Sequence, residues 1–207
     1  HWVSPFASNI YLSIAWRFEQ GMAGIGGLSL VVGVALVRAL LDLGIPGVGL
    51  KWPNDIYWQH KKLGGILIEA VGESEGPCYA VIGLGLNVFL PEQAATSIDQ
   101  PWTDLSQILG HTGINRNQLT SFILNHLVAI LADFNQASLP EYLKEWRRYD
   151  CMLDKQVSLY LYNKQISGIV KGINAGGHLL LSDQSGEVMA FSSGEISFNP
   201  NNDAITS

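Results

Sequence analysis

The stretch VGLKWPNDIYWQHKKLGGILIEAVG, residues 48–72, contains three extended segments separated by short polar turns. Pro53 fixes its own φ and disfavours a helical conformation for the residue before it. The first segment is therefore predicted to be a strand that ends at Lys51, with Asn54 and Asp55 on the turn that follows. Three strands in a row indicate a β-sheet at the centre of the fold.

The flanking segments predict further strands and a helix. In NIYLSIAWRF, residues 9–18, large apolar residues occupy every second position, which is the period of a half-buried strand. Over residues 25–43 they occupy almost every face, which is typical of a helix packed on a sheet, and Gly44 and Pro46 are stop signals. CYAVIGLGLNVFL, residues 78–90, is a near-continuous apolar run of the kind found inside sheets.

The second half of the chain changes from helices to strands. Thr103 is predicted to cap a short helix, Asn115 to cap a longer one, and residues 138–141 to begin a third with Pro140 in its first turn. Beyond Met152, alternating apolar residues and turn sequences predict only strands, arranged as a small β-barrel. The whole chain is thus predicted to be α/β (α+β), with a sheet, flanking helices and a small barrel.

The composition argues against several classes of function. The net charge of -6 disfavours a protein built around nucleic-acid phosphates, because such surfaces need clustered Lys and Arg. The longest apolar run, residues 28–37, is too short and too interrupted for a membrane span. Cys78 and Cys151 are far apart and fit no metal-knuckle pattern, and nothing in the sequence points to export, so a reducing cytoplasm is the predicted location.

Three stretches are candidates for a site, and each also has an ordinary structural explanation. KWPND at residues 51–55 combines a cation with turn chemistry that is common at strand ends. In KLGGILIE, residues 62–69, the glycine pair allows close backbone approach, as it also does in a plain hairpin. The glycines at 83 and 85 lack the third glycine and the following helix of a dinucleotide site, and Asn87 needs a partner in the core or in a ligand.

The chain closely resembles the biotin protein ligases, also called biotin-[acetyl-CoA carboxylase] ligases. The resemblance is carried by the order and the separations of three motifs, KWPND, KLGGILIE and VIGLGLNV. The resemblance runs from WVSPFASNIYLS at Trp2 to SSGEIS at residues 192–197. It implies that residues 1–150 form a catalytic domain with a mixed sheet flanked by helices, related to the class II aminoacyl-tRNA synthetases. It also implies that residues 151–207 form a small SH3-like β-barrel.

The resemblance further implies a two-step reaction. The family joins biotin to ATP as biotinyl-5′-AMP, releases pyrophosphate, and transfers the biotinyl group to one lysine of a biotin carboxyl carrier protein domain. Lys62, in the family's KLGGIL-type motif, is assigned the catalytic role of bridging carboxylate and phosphate as a charged ammonium. Lys51 is assigned a phosphate or positioning contact, and Asp55 either orients Lys51 or helps to hold Mg2+. The histidines show no metal-ligand spacing, so the metal ligands are otherwise left open.

Four residues are assigned to biotin by the same resemblance. Gly65 lets the main chain reach the ring system, whose ureido group needs backbone donors and acceptors, and Leu67 supplies an apolar wall. Gly83 and Leu86 line the same pocket from the next strand.

Two residues are assigned to the nucleotide. Asn87 matches the family's asparagine near the triphosphate. Trp102 lies where the family has a loop that folds over the adenylate, so its indole either stacks on adenine or closes the core ahead of a helix.

The chain departs from the family pattern at its start. In the family a GRGRxGR-type loop that clamps pyrophosphate precedes the WxSP sequence, and this chain begins after that loop. We therefore expect an N-terminally truncated fragment that is inactive alone, for which no DNA-binding module can be inferred. Two other interpretations stay open, a non-catalytic biotin-binding remnant and a lipoate ligase-type acyltransferase. The expected partners are a carrier domain and a second copy of the chain, with no nucleic acid and no membrane.

Overall fold

The computed structural model describes residues 6, 8–72, 76–91, 98, 100–162 and 164–198, so the WVSP start of the resembling stretch lies outside the described residues. The first elements are β1 (Ile10–Phe18), a 3₁₀ helix (Met22–Ile25), α1 (Leu28–Asp42), β2 (Val48–Lys51), β3 (Asp55–Trp58), β4 (Lys61–Gly72) and β5 (Cys78–Leu86). The helices that follow are α2 (Leu105–Leu109), α3 (Arg116–Asp133) and α4 (Leu139–Trp146). The last strands are β6 (Gln156–Leu161), β7 (Lys164–Ile173), β8 (Leu179–Ser182), β9 (Val188–Phe191) and β10 (Glu195–Phe198).

Two five-stranded sheets organise this α/β fold, and every ladder between the described strands is antiparallel. In the first sheet the strand order is β1-β5-β4-β3-β2. Strands β2 to β5 follow one another through short connections, and such connections join antiparallel neighbours, whereas parallel strands need a long crossover. The predicted strands are therefore confirmed, but the prediction of a mixed sheet is wrong in strand direction.

Helix α1 is the centre of the hydrophobic core. Its Gly33 packs directly on the sheet, because a Cβ there would lie 3.2 Å from the Leu50 side chain of β2. The helix ends at Asp42, and the predicted stop signal Gly44 follows with a positive φ of 75°. Among the described residues, the segment Met22–Asp42 is long and apolar enough to cross a membrane, but 67% of its most apolar window is buried inside the protein. Its hydrophobicity is explained by packing between the sheet, α3 and α4.

The caps of α2 and α3 follow the sequence with one correction. Asn115 caps α3 by accepting a hydrogen bond from the Gln118 N–H, as predicted. The cap of α2 is Asp104 rather than Thr103, because Asp104 accepts from the Gln107 N–H and its second oxygen accepts from the Leu90 N–H. A carboxylate offers acceptors to both segments at once, which a threonine hydroxyl cannot match.

The second sheet, with strand order β10-β6-β7-β8-β9, is attached to the first along the edge of β2. The Leu50 N–H donates to the Tyr149 carbonyl at 2.7 Å, and the Cys151 N–H donates to the Leu50 carbonyl at 3.0 Å. The Trp52 indole N–H donates to the Gly177 carbonyl at 3.0 Å and is itself buried. The segment between α4 and β6 thus covers an edge that would otherwise be exposed. The predicted division of the chain at residue 150 stays a prediction.

Asp150 lies at this junction, and burial raises the pKa of its carboxyl to about 6. Hydrogen bonds from the Met152 and Leu153 backbone oppose the shift, and the Met152 N–H donates to its Oδ1 at 2.9 Å. Because the folded pKa lies above the unfolded value, this group stabilises the fold fully below about pH 4, and that contribution is lost as the pH rises through about 6. Above that pH, the buried carboxylate destabilises the folded protein.

We expect Asp150→Asn to raise the free energy of unfolding by about 1–2 kcal/mol at pH 7.5, with little gain at pH 4.5. An amide keeps an acceptor for the Met152 N–H without a charge. Urea unfolding at the two pH values measures the effect. Asp154→Asn is the matched control, because Asp154 is largely exposed beside Lys171 and its substitution should give no comparable pH dependence. An equal gain at both pH values for Asp150→Asn would contradict the expectation.

Candidate functional site

The face of the first sheet that is not covered by helices carries a row of paired residues, one from each strand. Tyr11 of β1 pairs with Gly85 of β5, which pairs with Gly65 of β4. Gly65 pairs with Asp55 of β3, which pairs with Lys51 of β2. Paired residues point to the same face, with Cα atoms about 4.5–5.5 Å apart. The row, on what we call the open face, therefore has a charged end at β2 and β3 and a floor of glycines beside it.

A β-bulge on β4 brings Lys62 to the open face. The ladder between β3 and β4 is regular as far as Gly64, but the next residue of β3, Tyr57, pairs with Lys62 rather than Leu63. Leu63 is the extra residue, and its side chain is fully buried. A bulge shifts the alternation of the strand, so Lys62 points to the same side as Tyr57 instead of into the core.

Lys51, Asp55 and Lys62 form one charged cluster at the end of the row. Lys62 Nζ lies 2.7 Å from Asp55 Oδ1, and Lys51 Nζ lies 3.5 Å from Asp55 Oδ2. The side chains of Lys51, Asp55 and Lys62 are 6%, 13% and 22% exposed, so solvent screens them only weakly. Two ammonium groups share one carboxylate, which leaves one positive charge in excess. The cluster is therefore suited to an anionic ligand.

The electrostatics of Lys51 point to the same kind of ligand. Burial lowers the pKa of Lys51, because removal from water disfavours the charged ammonium. Asp55 opposes this shift, Lys62 adds to it, and Glu195 of β10 contributes a smaller opposing effect. A phosphate or carboxylate bound beside Lys51 would favour its protonated form in the same way as Asp55 does.

Tyr57 belongs to this cluster, although the sequence reasoning did not select it. Lys51 Nζ donates a hydrogen bond to the Tyr57 hydroxyl at 3.2 Å and lies 5.0 Å from the centre of its ring. Burial, with the nearby Asp55 carboxylate, raises the pKa of Tyr57 further, so the phenol stays neutral. The alternation of the DIYW strand was a usable signal, because it places Tyr57 on the same face as Asp55.

Gly64 and Gly83, on opposite faces of the sheet, have different reasons to be glycine. A Cβ at Gly64 would lie 2.7 Å from the Gly85 carbonyl, so packing between the strands excludes any side chain there. A Cβ at Gly83 would meet Leu67 atoms at 3.5 Å and beyond, which is ordinary contact, and Gly83 does not have a positive φ. The fold does not require glycine at position 83, so its missing side chain leaves room for a ligand on the open face.

The structure separates the two leucines that were assigned to the biotin pocket. Leu67 pairs with Gly83 on the open face and is 59% exposed, so it can form a wall over the floor. Leu86 pairs with Gly64 on the opposite face and is 1% exposed within the core. Its assignment to the pocket wall is wrong, because residues 83 and 86 lie three positions apart in a strand and must face opposite sides. Gly85 takes the corresponding place on the open face.

Asn87 connects three segments at the rim of the site. Its N–H donates to the Leu63 carbonyl, its side-chain amide donates to the Thr103 carbonyl at 3.1 Å, and its carbonyl accepts from the Leu105 N–H. Asn87 thus fixes the loop before α2 to the end of β5 and the bulge of β4. Its assigned contact with phosphate stays a prediction.

Trp102 lies directly beside Lys62. The Lys62 N–H donates to the Pro101 carbonyl, and the Thr103 N–H donates to the Lys62 carbonyl, which pairs Trp102 with Lys62 in a short parallel bridge. The indole is half-buried and lines a surface groove together with Phe89, Pro101 and others. The structure thus brings Trp102 to the site, and its stacking on adenine stays a prediction.

The site offers little to a metal ion by itself. Within the described residues, no group of three or more His, Cys, Asp or Glu side chains is arranged to hold a metal. Asp55 is the carboxylate of the cluster, and each of its oxygens already has an ammonium partner. Asp55 is therefore the carboxylate that the cluster could offer to a magnesium ion, and the other ligands of such an ion would have to come from substrate phosphates and water.

Two family descriptions match the chain. The family described as "Biotin/lipoate A/B protein ligase family" matches residues 1–87, which contain β1 to β5, the bulge and the charged cluster. The "Biotin protein ligase C terminal domain" matches residues 152–199, which contain the second sheet.

Individual relatives and solved structures agree with these matches. The "Bifunctional ligase/repressor BirA" of Escherichia coli is 40% identical over 95% of this chain, which spans 60% of that protein's length. The "Biotin--[acetyl-CoA-carboxylase] ligase" of Mycobacterium tuberculosis is 30% identical over 94% of this chain and 71% of its own. The structure of "Biotin protein ligase from Aquifex aeolicus in complex with biotin and ATP" superposes with a TM-score of 0.71 at 27% identity, covering 89% of this chain and 77% of that one.

Proposed function

Because the chain belongs to the biotin/lipoate A/B protein ligase family, we propose that the whole protein activates biotin with ATP as biotinyl-5′-AMP and transfers it to a lysine of a biotin carboxyl carrier protein. The observation that carries the proposal is the shielded cluster of Lys51, Asp55 and Lys62 beside a glycine floor. The cluster suits an anionic group, and the floor with Leu67 suits a compact, uncharged ring system. The Aquifex aeolicus complex with biotin and ATP supports this pair of ligands.

In the first step a carboxylate oxygen of biotin attacks the α-phosphorus of ATP, and the bond from that phosphorus to pyrophosphate breaks. The two reactants are both anions, so they repel each other unless cations lie between them. In this proposal Lys62 bridges them, which is supported by its projection from β4 at the edge of the floor and by its contact with Asp55. Lys51, behind Asp55, adds a second fixed positive charge for the phosphates.

In the second step the amine of a carrier lysine attacks the carbonyl carbon of the adenylate. An amide forms, AMP leaves with the electron pair of the acyl–oxygen bond, and the amine loses a proton. Lys62 and Lys51 act in both steps as charged groups that stabilise phosphate oxygens, and neither forms a covalent bond.

Magnesium is part of the proposal. Asp55 is the carboxylate in the cluster that would supply an oxygen to the ion, with ATP phosphates providing further ligands. When bound, the ion neutralises phosphate charge. Asp55 holds both lysines in place whether or not it also contacts the ion.

The finer features of the fold, the partners and the cellular location are also proposals. The antiparallel order β10-β6-β7-β8-β9 supports a small SH3-like barrel, and the helix-covered first sheet supports a relationship to class II aminoacyl-tRNA synthetases. The apolar side chains of Val71, Tyr79 and Val81 on the open face support a second copy or the carrier domain as partner. A cytoplasmic location is consistent with the carrier as substrate.

The experiment that tests the function is ATP–pyrophosphate exchange by the whole protein with biotin or lipoate as the acid, followed by mass spectrometry of a carrier domain. We expect exchange that depends on biotin and a mass increase of one biotinyl group on the carrier. Exchange with lipoate in place of biotin would establish the acyltransferase alternative. Biotin binding by calorimetry without any exchange would instead establish a non-catalytic binding protein.

A further inference from the structure

Phe198, in the last described strand of the second sheet, packs against the hairpin that carries the charged cluster. Its ring centre lies 6.0 Å from that of Tyr57 on β3, at an interplanar angle of 53°. It also lies 5.4 Å from the ring centre of His60, in the turn between β3 and β4, with an edge-on geometry of 85°. Aromatic pairs at these distances and angles are favourable contacts. The second sheet therefore touches the site through an aromatic side chain.

Tyr57 connects this contact to Lys51. Its hydroxyl accepts from Lys51 Nζ at 3.2 Å, and its ring lies 5.0 Å from the same nitrogen. The distance from Lys51 Nζ to Asp55 Oδ2 is longer, at 3.5 Å, and the other Asp55 oxygen lies 2.7 Å from Lys62 Nζ. Lys51 is thus held more closely by Tyr57 than by the carboxylate, and a cation over a shielded aromatic ring is favourable.

The same strand also acts on Lys51 by charge, since Glu195 of β10 is among the groups that favour the ammonium form. Strand β10 is placed by its ladder with β6, in which Phe198 pairs with Val157 and Glu195 pairs with Tyr160. The position of Phe198 therefore depends on how the second sheet is docked against the first.

We propose that Phe198 is a positioning residue that acts through Tyr57 to hold Lys51 in the charged cluster. Docking of the second sheet thereby fixes the second cation of the site. The importance of this contact for catalysis rests on the proposed function, whereas the effect on Lys51 itself does not. Removal of Phe198 should let Tyr57 and Lys51 move and expose the ammonium group to solvent.

Trace acetylation of the whole protein with acetic anhydride, read by mass spectrometry over a series of pH values, tests the effect on Lys51, because the series separates the accessibility of the free amine from its pKa. In the wild type Lys51 should react more slowly than Lys144, whose side chain is 65% exposed. Phe198→Ala should raise the labelling of Lys51 by about tenfold relative to Lys144, equivalent to about 1.4 kcal/mol. Phe198→Leu retains apolar volume and should give a smaller rise in Lys51 labelling. This variant still tests the proposal if the alanine variant does not fold.

The matched control is Phe191→Ala, which removes a half-buried phenylalanine from β9, at the opposite edge of the second sheet. Lys51 labelling should stay at the wild-type level in this variant. No rise in either Phe198 variant, or an equal rise in Phe191→Ala, would overturn the proposal. Tyr57→Phe, which keeps the ring and removes the hydroxyl, should also raise Lys51 labelling, and a wild-type level there would show that Tyr57 does not transmit the contact.

Kinetics separate positioning from a general loss of structure. Phe198→Ala should lower kcat/KM for ATP by about tenfold, a loss of about 1.4 kcal/mol, while the affinity for biotin stays unchanged because the glycine floor lies on other strands. An equal loss for both substrates would overturn the positioning role. If the wild type forms no adenylate but substitution of Phe198 still raises the labelling of Lys51, the proposed function fails and the positioning effect stands.

Discussion

Lys62→Ala in the whole protein is expected to lower the rate of biotinyl-adenylate formation by about 100-fold or more, equivalent to about 3 kcal/mol, because one fixed donor to a developing anion contributes that much. Lys62 is the member of the cluster at the edge of the glycine floor, and no other described lysine is paired with Asp55 at so short a distance. Biotin-dependent pyrophosphate release measures the rate. The fold should be retained, since Asp55 keeps Lys51 as a partner.

Lys144→Ala is the matched control for this variant. Lys144 is 65% exposed on α4 and does not line the groove that contains Trp102, so its removal changes net charge equally without touching the site. Lys62→Arg should recover only part of the rate, because a planar guanidinium does not replace a compact ammonium in a confined position. A wild-type rate in folded Lys62→Ala would refute the catalytic assignment.

Gly83→Val is expected to weaken biotin binding by roughly 10- to 100-fold, since overfilling a packed site costs about 1–3 kcal/mol. The backbone at position 83 accepts any L-residue, and valine is favourable in strands, so the sheet should not lose stability. The new side chain would stand on the floor between Ser13 and Leu67, in the space assigned to the biotin ring system. Calorimetric titration with biotin, without ATP, measures the affinity.

Gly113→Val provides the same substitution in a loop before α3, at a residue without positive φ and with room for a Cβ. Its biotin affinity should match the wild type. Unchanged affinity in folded Gly83→Val would show that biotin does not lie on this floor, even if the charged cluster proves catalytic.

Much of the fold could be predicted because burial repeats with the period of the element. The alternation in IYLSIAWRF placed β1 correctly, and the apolar run with Gly44 placed the core helix and its end. Strand direction could not be obtained in this way, because alternation is the same for parallel and antiparallel neighbours. The mixed sheet came from resemblance alone, and hydrogen-bond registers were needed to correct it.

The site was predicted in part for a similar reason. Lys51, Asp55, Gly65, Gly83 and Lys62 were selected from their motifs, and the structure brings all of them to one face. Leu86 was misplaced because VIGLGLNV is apolar at nearly every position, so its pattern does not reveal which side chains face the core. The Tyr57 contact with Phe198 joins residues that are distant in sequence, and no local pattern contains such information.

The extra residue at Leu63 has a consequence for how this sequence can change length. Removal of Leu63 would restore regular alternation and leave Lys62 opposite Tyr57, but it would also take a fully buried leucine out of the core. The turn at Gln59 and His60 lies outside the ladder, so residues added there would leave the pairing of Tyr57 with Lys62 intact. Insertions and deletions in descendants of this sequence should therefore collect at the turn and avoid the strand.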